Sequence, residues 1–217
     1  MSALAFRERP STGPAHGLLV LHHGRGADEL DLLPLVHELD PAGTLHAVSV
    51  RAPLILPGSP GYHWYVVRQV GYPDADTFRS SFAELAAFHD ELWQRTGIDP
   101  AQTILGGFSM GAVMSYSLGL APGRRAPAGI LAFSGFTPTV EGWDPDLEHR
   151  REVGVFIAHG RLDPVIPIEF GREARRRLES AGLPVEYRES DLPHAIDPRH
   201  LPAAATWIDQ TLAGGAS

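Results

Sequence analysis

The stretch Gly107-Phe108-Ser109-Met110-Gly111 constrains this chain more than any other. The apolar run Thr103-Ile104-Leu105 leads into it and predicts a buried strand, and the apolar residues 112–118 that follow predict a helix. A serine between strand and helix, with small residues on either side, sits on a sharp turn that exposes its hydroxyl. The helix behind it points its first N–H groups at the place where negative charge develops during acyl transfer. Ser109 is therefore the candidate nucleophile, and the chemistry it implies is attack on a carbonyl.

The rest of the chain predicts the scaffold such a turn needs. Short runs rich in Leu, Val and Ile predict strands at residues 17–22, 45–50, 103–108, 129–133, 153–158 and 185–188. Helical patterns lie between them at 29–39, 77–95, 110–120, 168–181 and 201–212, and residues 3–9 add an edge strand. Alternation of this kind predicts an α/β fold with a mainly parallel central sheet and helices on both faces. No repeat, linker or break in composition divides the chain, so residues 1–217 are expected to form one domain. Two stretches read as loops, 52–73 and 138–152, and the first carries Trp64 and Tyr65. A loop of that length within a domain is usually functional.

Composition removes several classes of function. A net charge of −8 argues against nucleic acid as a partner. The absence of cysteine removes thiolate catalysis, disulfides and cysteine–zinc sites, and no histidine spacing of the H-E-x-x-H kind suggests a metal. No stretch has the length of a membrane span, and residues 1–12 lack an apolar core of signal-peptide length, so a cytoplasmic location is the expectation.

A serine nucleophile needs a base, and the base needs an orienting carboxylate. On a strand–serine–helix scaffold the chain order is serine, acid, histidine. Of His149, His159, His194 and His200 downstream of Ser109, His194 fits best, because it follows the last strand at the sheet edge where ligands of open α/β sheets bind. Asp163 is the candidate acid, in a stiff loop after strand 153–158. Its alternative role is a turn or helix cap, and Asp191 is the rival acid. The oxyanion hole requires backbone N–H groups, assigned to Met110 after the nucleophile and to Arg25 in the loop His23-Gly24-Arg25-Gly26. Trp64, Tyr65, Phe136, Val165 and Ile166 are candidates either for lining a substrate pocket or for plain packing.

These motifs, in this order, resemble the phospholipase/carboxylesterase family of α/β-hydrolases. The residues that carry the likeness are His23-Gly24-Arg25-Gly26, Glu29, Gly107-Phe108-Ser109-Met110-Gly111-Ala112, Gly160-Arg161-Leu162-Asp163-Pro164-Val165 and Pro193-His194, with Arg51-Ala52-Pro53 and Tyr62-His63-Trp64-Tyr65 on the substrate side. The resemblance implies an α/β-hydrolase fold without a large lid domain, acting on carboxylic esters or thioesters with no metal or organic cofactor. Met110 stands where the thioesterase branch commonly has glutamine, which favours a small-molecule esterase. Its side chain, like the loop around Trp64, is expected to border a shallow cleft suited to short acyl groups. A small-molecule ester is the expected partner, and a homodimer is left open.

Overall fold

A computed structural model describes residues 4–214. In chain order the strands and helices are β1 (Phe6–Arg9), β2 (Gly17–His22), α1 (Val36–Leu39), β3 (Leu45–Val50), β4 (Leu54–Ile55), β5 (Tyr62–His63), β6 (Val67–Gln69), β7 (Tyr72–Pro73) and α2 (Ala75–Thr96). They continue with β8 (Thr103–Phe108), α3 (Met110–Gly119), β9 (Gly129–Phe133), β10 (Gly154–Gly160), α4 (Ile168–Ser180), β11 (Val185–Ser190) and α5 (Leu201–Gly214). Seven strands form one sheet in the order β1-β3-β2-β8-β9-β10-β11. Only β1 runs antiparallel to its neighbour; all the other pairs are parallel.

Strand side chains alternate between the two faces, and the core divides accordingly. Leu18, Val20, Val48 and Leu105 pack with α2 and α3 through Phe78, Leu85, Val113 and Met114. Leu19, Leu21, Ile104 and Phe156 pack on the opposite face with α1 and α5 through Val36, Trp207 and Ile208. Farther along the first face, Ile130, Val155 and Ile157 meet α3 and α4 through Tyr116 and Leu178. The central helix α3 is buried along its whole length, which explains its lack of a polar face. By the same alternation, His22 points toward α2 and α3, His159 points toward α4, and Phe108 joins the α5 face.

The structure departs from the sequence expectations in three places. The helix expected over 29–39 reduces to a 3-10 turn at Leu33–Leu35 followed by α1. Pro34 has no N–H to continue a helix from the residues before it, Asp28 accepts from the Leu30 N–H at 2.9 Å in a local turn, and Glu29 is drawn inward by Arg51. Within the expected loop 52–73, β4 pairs with β5 and β6 with β7, forming small hairpins. Of the edge strand expected over 3–9, Ala3 lies outside the described residues and β1 covers the rest from Phe6.

A buried polar chain ties α2, β2 and α3 together. The Ser115 hydroxyl donates to Gly111 O at 3.1 Å, His22 Nδ1–H donates to Ser115 Oγ at 2.8 Å, and His89 Nε2–H donates to His22 Nε2 at 3.1 Å. Burial, with His23 nearby, pushes His22 down to about 3, and burial followed by His22 lowers His89 well below its ordinary value. In the unfolded chain both imidazoles take a proton near 6.5, so there the unfolded state binds more protons and stability rises with pH. The melting temperature is expected to fall as pH drops from 7.5 to 5, above the range where carboxylates titrate. A melting temperature flat across that window, followed by differential scanning calorimetry, would contradict these assignments.

Candidate active site

The serine turn is built by close contact. A Cβ at Gly107 would lie 2.4 Å from the carbonyl carbon of Gly111, and one at Gly111 would lie 1.9 Å from His22 O, so neither position admits a side chain. Between them Ser109 adopts φ 55° and ψ −119°, a conformation that non-glycine residues rarely hold. The strain is sustained by the surroundings: Ser109 N–H donates to Phe133 O at 2.8 Å, and Ser109 O accepts from Val113 N–H at 3.2 Å as α3 begins.

The sheet edge brings the acid and histidine loops to this serine. Leu162 N–H donates to Leu192 O at 3.2 Å, and Arg161 N–H to Ser190 O at 2.7 Å, so the loops after β10 and β11 are stitched together. Asp163 is buried, and its Oδ1 accepts from the N–H groups of Val165 at 2.8 Å and Ile166 at 2.9 Å. That leaves Oδ2 to accept from His194 Nδ1–H at 2.6 Å. The far nitrogen of the ring, Nε2, accepts from Ser109 Oγ–H at 2.8 Å. The Phe108 ring lies 4.8 Å from the His194 ring, centroid to centroid, and supports its face. The rival Asp191 is exposed and pairs with Arg161, while His149 pairs with Asp146 at the surface, 2.9 Å away.

The loop after β2 approaches the serine from the other side, with Gly24 set against Phe108 and Ser109. Gly26 N–H donates to Tyr62 O at 2.7 Å and Ala27 O accepts from Tyr62 N–H at 2.9 Å, so β5 braces this loop. The N–H groups of Arg25 and Met110 take part in none of the turn's own hydrogen bonds. His23 pins the loop from below: its Nδ1–H donates to Gly24 O at 2.6 Å and its Nε2 accepts from Ala52 N–H at 3.0 Å. The bond accepted by Nε2 requires the neutral ring, in keeping with burial lowering its pKa. Glu29, inaccessible to solvent, accepts from Arg51 at 2.5 and 2.7 Å, and Arg51 in turn reaches the Tyr62 hydroxyl at 3.2 Å.

The pocket candidates separate by burial. Trp64 has no exposed surface, so it is a strut and not a wall of the cleft: its Nε1–H donates to His23 O at 2.9 Å, fixing the same loop. Met110 is likewise turned into the core, where its Sδ accepts from Trp64 N–H at 3.2 Å, which corrects the expectation that its side chain borders the cleft. Tyr65 packs against Phe78. Phe136 and Ile166 are nearly buried, and Val165 is 51% exposed beside Asp163. A cavity of about 230 Å³ opens beside Phe136, between Tyr72 and Phe170. A larger depression of about 810 Å³ lies at the opposite end of the sheet, where Gly154 starts β10, and is remote from the serine.

Fold and turn together define an α/β-hydrolase. A Bacillus cereus carboxylesterase structure superposes with a TM-score of 0.83 at 24% identity, over 97% of this chain and 95% of that one. The structure of esterase PE8 gives a TM-score of 0.81 at 29% identity, over 96% and 99%. The family model of phospholipases and carboxylesterases matches residues 8–212, and the chain belongs to that family as an enzyme of the carboxylesterase type. An acyl-protein thioesterase 1 of Debaryomyces hansenii is 26% identical over 96% of this chain and 97% of its own length. No helix among the described residues is long and apolar enough to cross a membrane.

Proposed function

We propose that this chain, as one α/β-hydrolase domain, cleaves small carboxylic esters of short acyl chain through Ser109, His194 and Asp163. The observation that carries this reading is the continuous pair of hydrogen bonds Ser109–His194–Asp163, at 2.8 and 2.6 Å, on a serine held at φ 55°. His194 Nε2 takes the serine proton as Oγ attacks the ester carbonyl, and Asp163 stabilises the resulting imidazolium. The free N–H groups of Arg25 and Met110 receive the oxyanion. His194 then protonates the leaving alcohol, and later takes a proton from water as that water releases the acid from the acyl-enzyme.

We assign the acyl group to the cavity beside Phe136, the residue after the Gly135 that abuts Ser109, and the small size of that cavity favours short acyl groups. At about 230 Å³ it falls below the roughly 300–1,000 Å³ of sites that enclose drug-sized ligands. Methylenes beyond it stay in water and gain little of the roughly 0.8 kcal/mol that burial of each provides. The test is kcat/KM for p-nitrophenyl acetate, butyrate, octanoate and palmitate, alongside one acyl thioester. A maximum between acetyl and hexanoyl lengths is expected. A rise continuing to palmitate would contradict the short-acyl assignment. The match to the Debaryomyces hansenii thioesterase over nearly its whole length favours a second reading, thioester hydrolysis, and a thioester cleaved faster than its oxygen ester would establish it.

A further inference from the structure

Beside Asp163 stands a buried imidazole that the proposed reaction does not use. It belongs to His159, at the end of β10, and is inaccessible to solvent. Its Nε2 lies 2.8 Å from Ile166 O and 3.5 Å from Asp163 Oδ2, the same oxygen that accepts from His194. Both neighbours of that nitrogen are acceptors, so Nε2 carries the proton and gives it to the carbonyl. The ring thereby closes the turn from Asp163 to Ile166, and the amides of that turn are the ones that hold Asp163 Oδ1.

We infer that His159 is a positioning residue for Asp163: it locks the turn that orients the carboxylate and leaves Oδ2 committed to His194. This rests on the Ser109–His194–Asp163 reading above. The Ile166 carbonyl is what makes the arrangement work. Without it, the N–H of His159 would turn to Asp163, and two imidazoles would compete for one carboxylate oxygen. The other face of the ring is equally constrained. Its Nδ1 has no hydrogen-bond partner among the described residues and rests against Gly171 of α4, where a Cβ would come within 2.6 Å. Glycine at this helical position leaves room for the ring, although alanine is the better helix former. The charged and titratable groups facing His159 are Asp163 on its own loop, His194 from the loop after β11 and Glu189 on β11. Glu189 is already engaged by Arg161, Arg172 and the Tyr187 hydroxyl.

The test compares His159→Leu, His159→Gln and Gly171→Ala with the parent enzyme, using p-nitrophenyl acetate between pH 5 and 9 together with thermal unfolding. Displacing a catalytic group by about an ångström costs up to a hundred-fold in rate. His159→Leu is therefore expected to lose roughly ten- to a hundred-fold in kcat with little change in KM. The acidic limb of its kcat/KM profile should move to lower pH, because a misplaced carboxylate stabilises the His194 imidazolium less. Glutamine places an N–H donor near Nε2 and should restore most of the rate. Gly171→Ala should resemble the leucine variant, since its methyl pushes on the ring without removing it. Folded His159→Leu enzyme with parental kcat and an unmoved limb would overturn the inference, as would a glutamine variant no better than leucine. Should the leucine variant fail to fold, parental kcat in Gly171→Ala overturns it equally. An inactive parent would instead count against the esterase reading itself.

Discussion

Ser109→Ala is expected to remove hydrolysis of p-nitrophenyl acetate while the protein stays folded. In a comparable serine hydrolase, loss of the nucleophile lowers turnover on the order of a million-fold. Alanine keeps the volume at the turn, and the bonds that hold the strained backbone use main-chain groups: Ser109 N–H to Phe133 O and Val113 N–H to Ser109 O. The fold should therefore persist, as circular dichroism will report. Turnover above a buffer blank by a folded, homogeneous Ser109→Ala protein would remove Ser109 from its assigned role.

Asp163→Asn is expected to lower kcat by roughly four orders of magnitude with the fold intact. The asparagine carbonyl can still accept from the amides of Val165 and Ile166, so its NH2 group faces His194. A donor there forces His194 Nδ1 to accept, which places the ring proton on Nε2, facing Ser109. In that tautomer the histidine cannot take the serine proton. Asp191→Asn is the matched control, since Asp191 is exposed and its carboxylate pairs with Arg161 at the surface. A steady-state comparison in which Asp191→Asn is the more damaged of the two would show that the acid was misassigned.

The parts of this site that were legible in sequence are those set by local rules. Gly107 and Gly111 mark the turn because nothing larger fits, and the apolar runs around them give the strand and the helix. The order serine, aspartate, histidine follows from a parallel sheet whose loops all open at one edge, and the structure brings Ser109, Asp163 and His194 within hydrogen-bond reach. What escaped the sequence depends on contacts between distant residues. His23 was legible only as part of the glycine-containing loop after β2, and its role comes from Ala52 and Gly24 meeting its ring. His159 looked like a weaker base because the Ile166 carbonyl and Gly171 that define its surroundings lie on the following loop and helix. Trp64 sits in a stretch rich in proline and glycine that suggested an exposed wall. The two hairpins formed there instead fold it under the loop it supports. Period and motif identify what lies on a strand or a turn. They do not identify which buried polar group closes on which.

The central claim is that Ser109 is the nucleophile activated by His194. Its most direct measurement is covalent labelling with a fluorophosphonate probe, followed by peptide mass spectrometry, on the parent enzyme, Ser109→Ala and His194→Ala. One adduct per chain, located on Ser109, absent in Ser109→Ala and formed far more slowly in His194→Ala, is the result expected. No adduct on the parent, or an adduct on another residue that persists in Ser109→Ala, would contradict it.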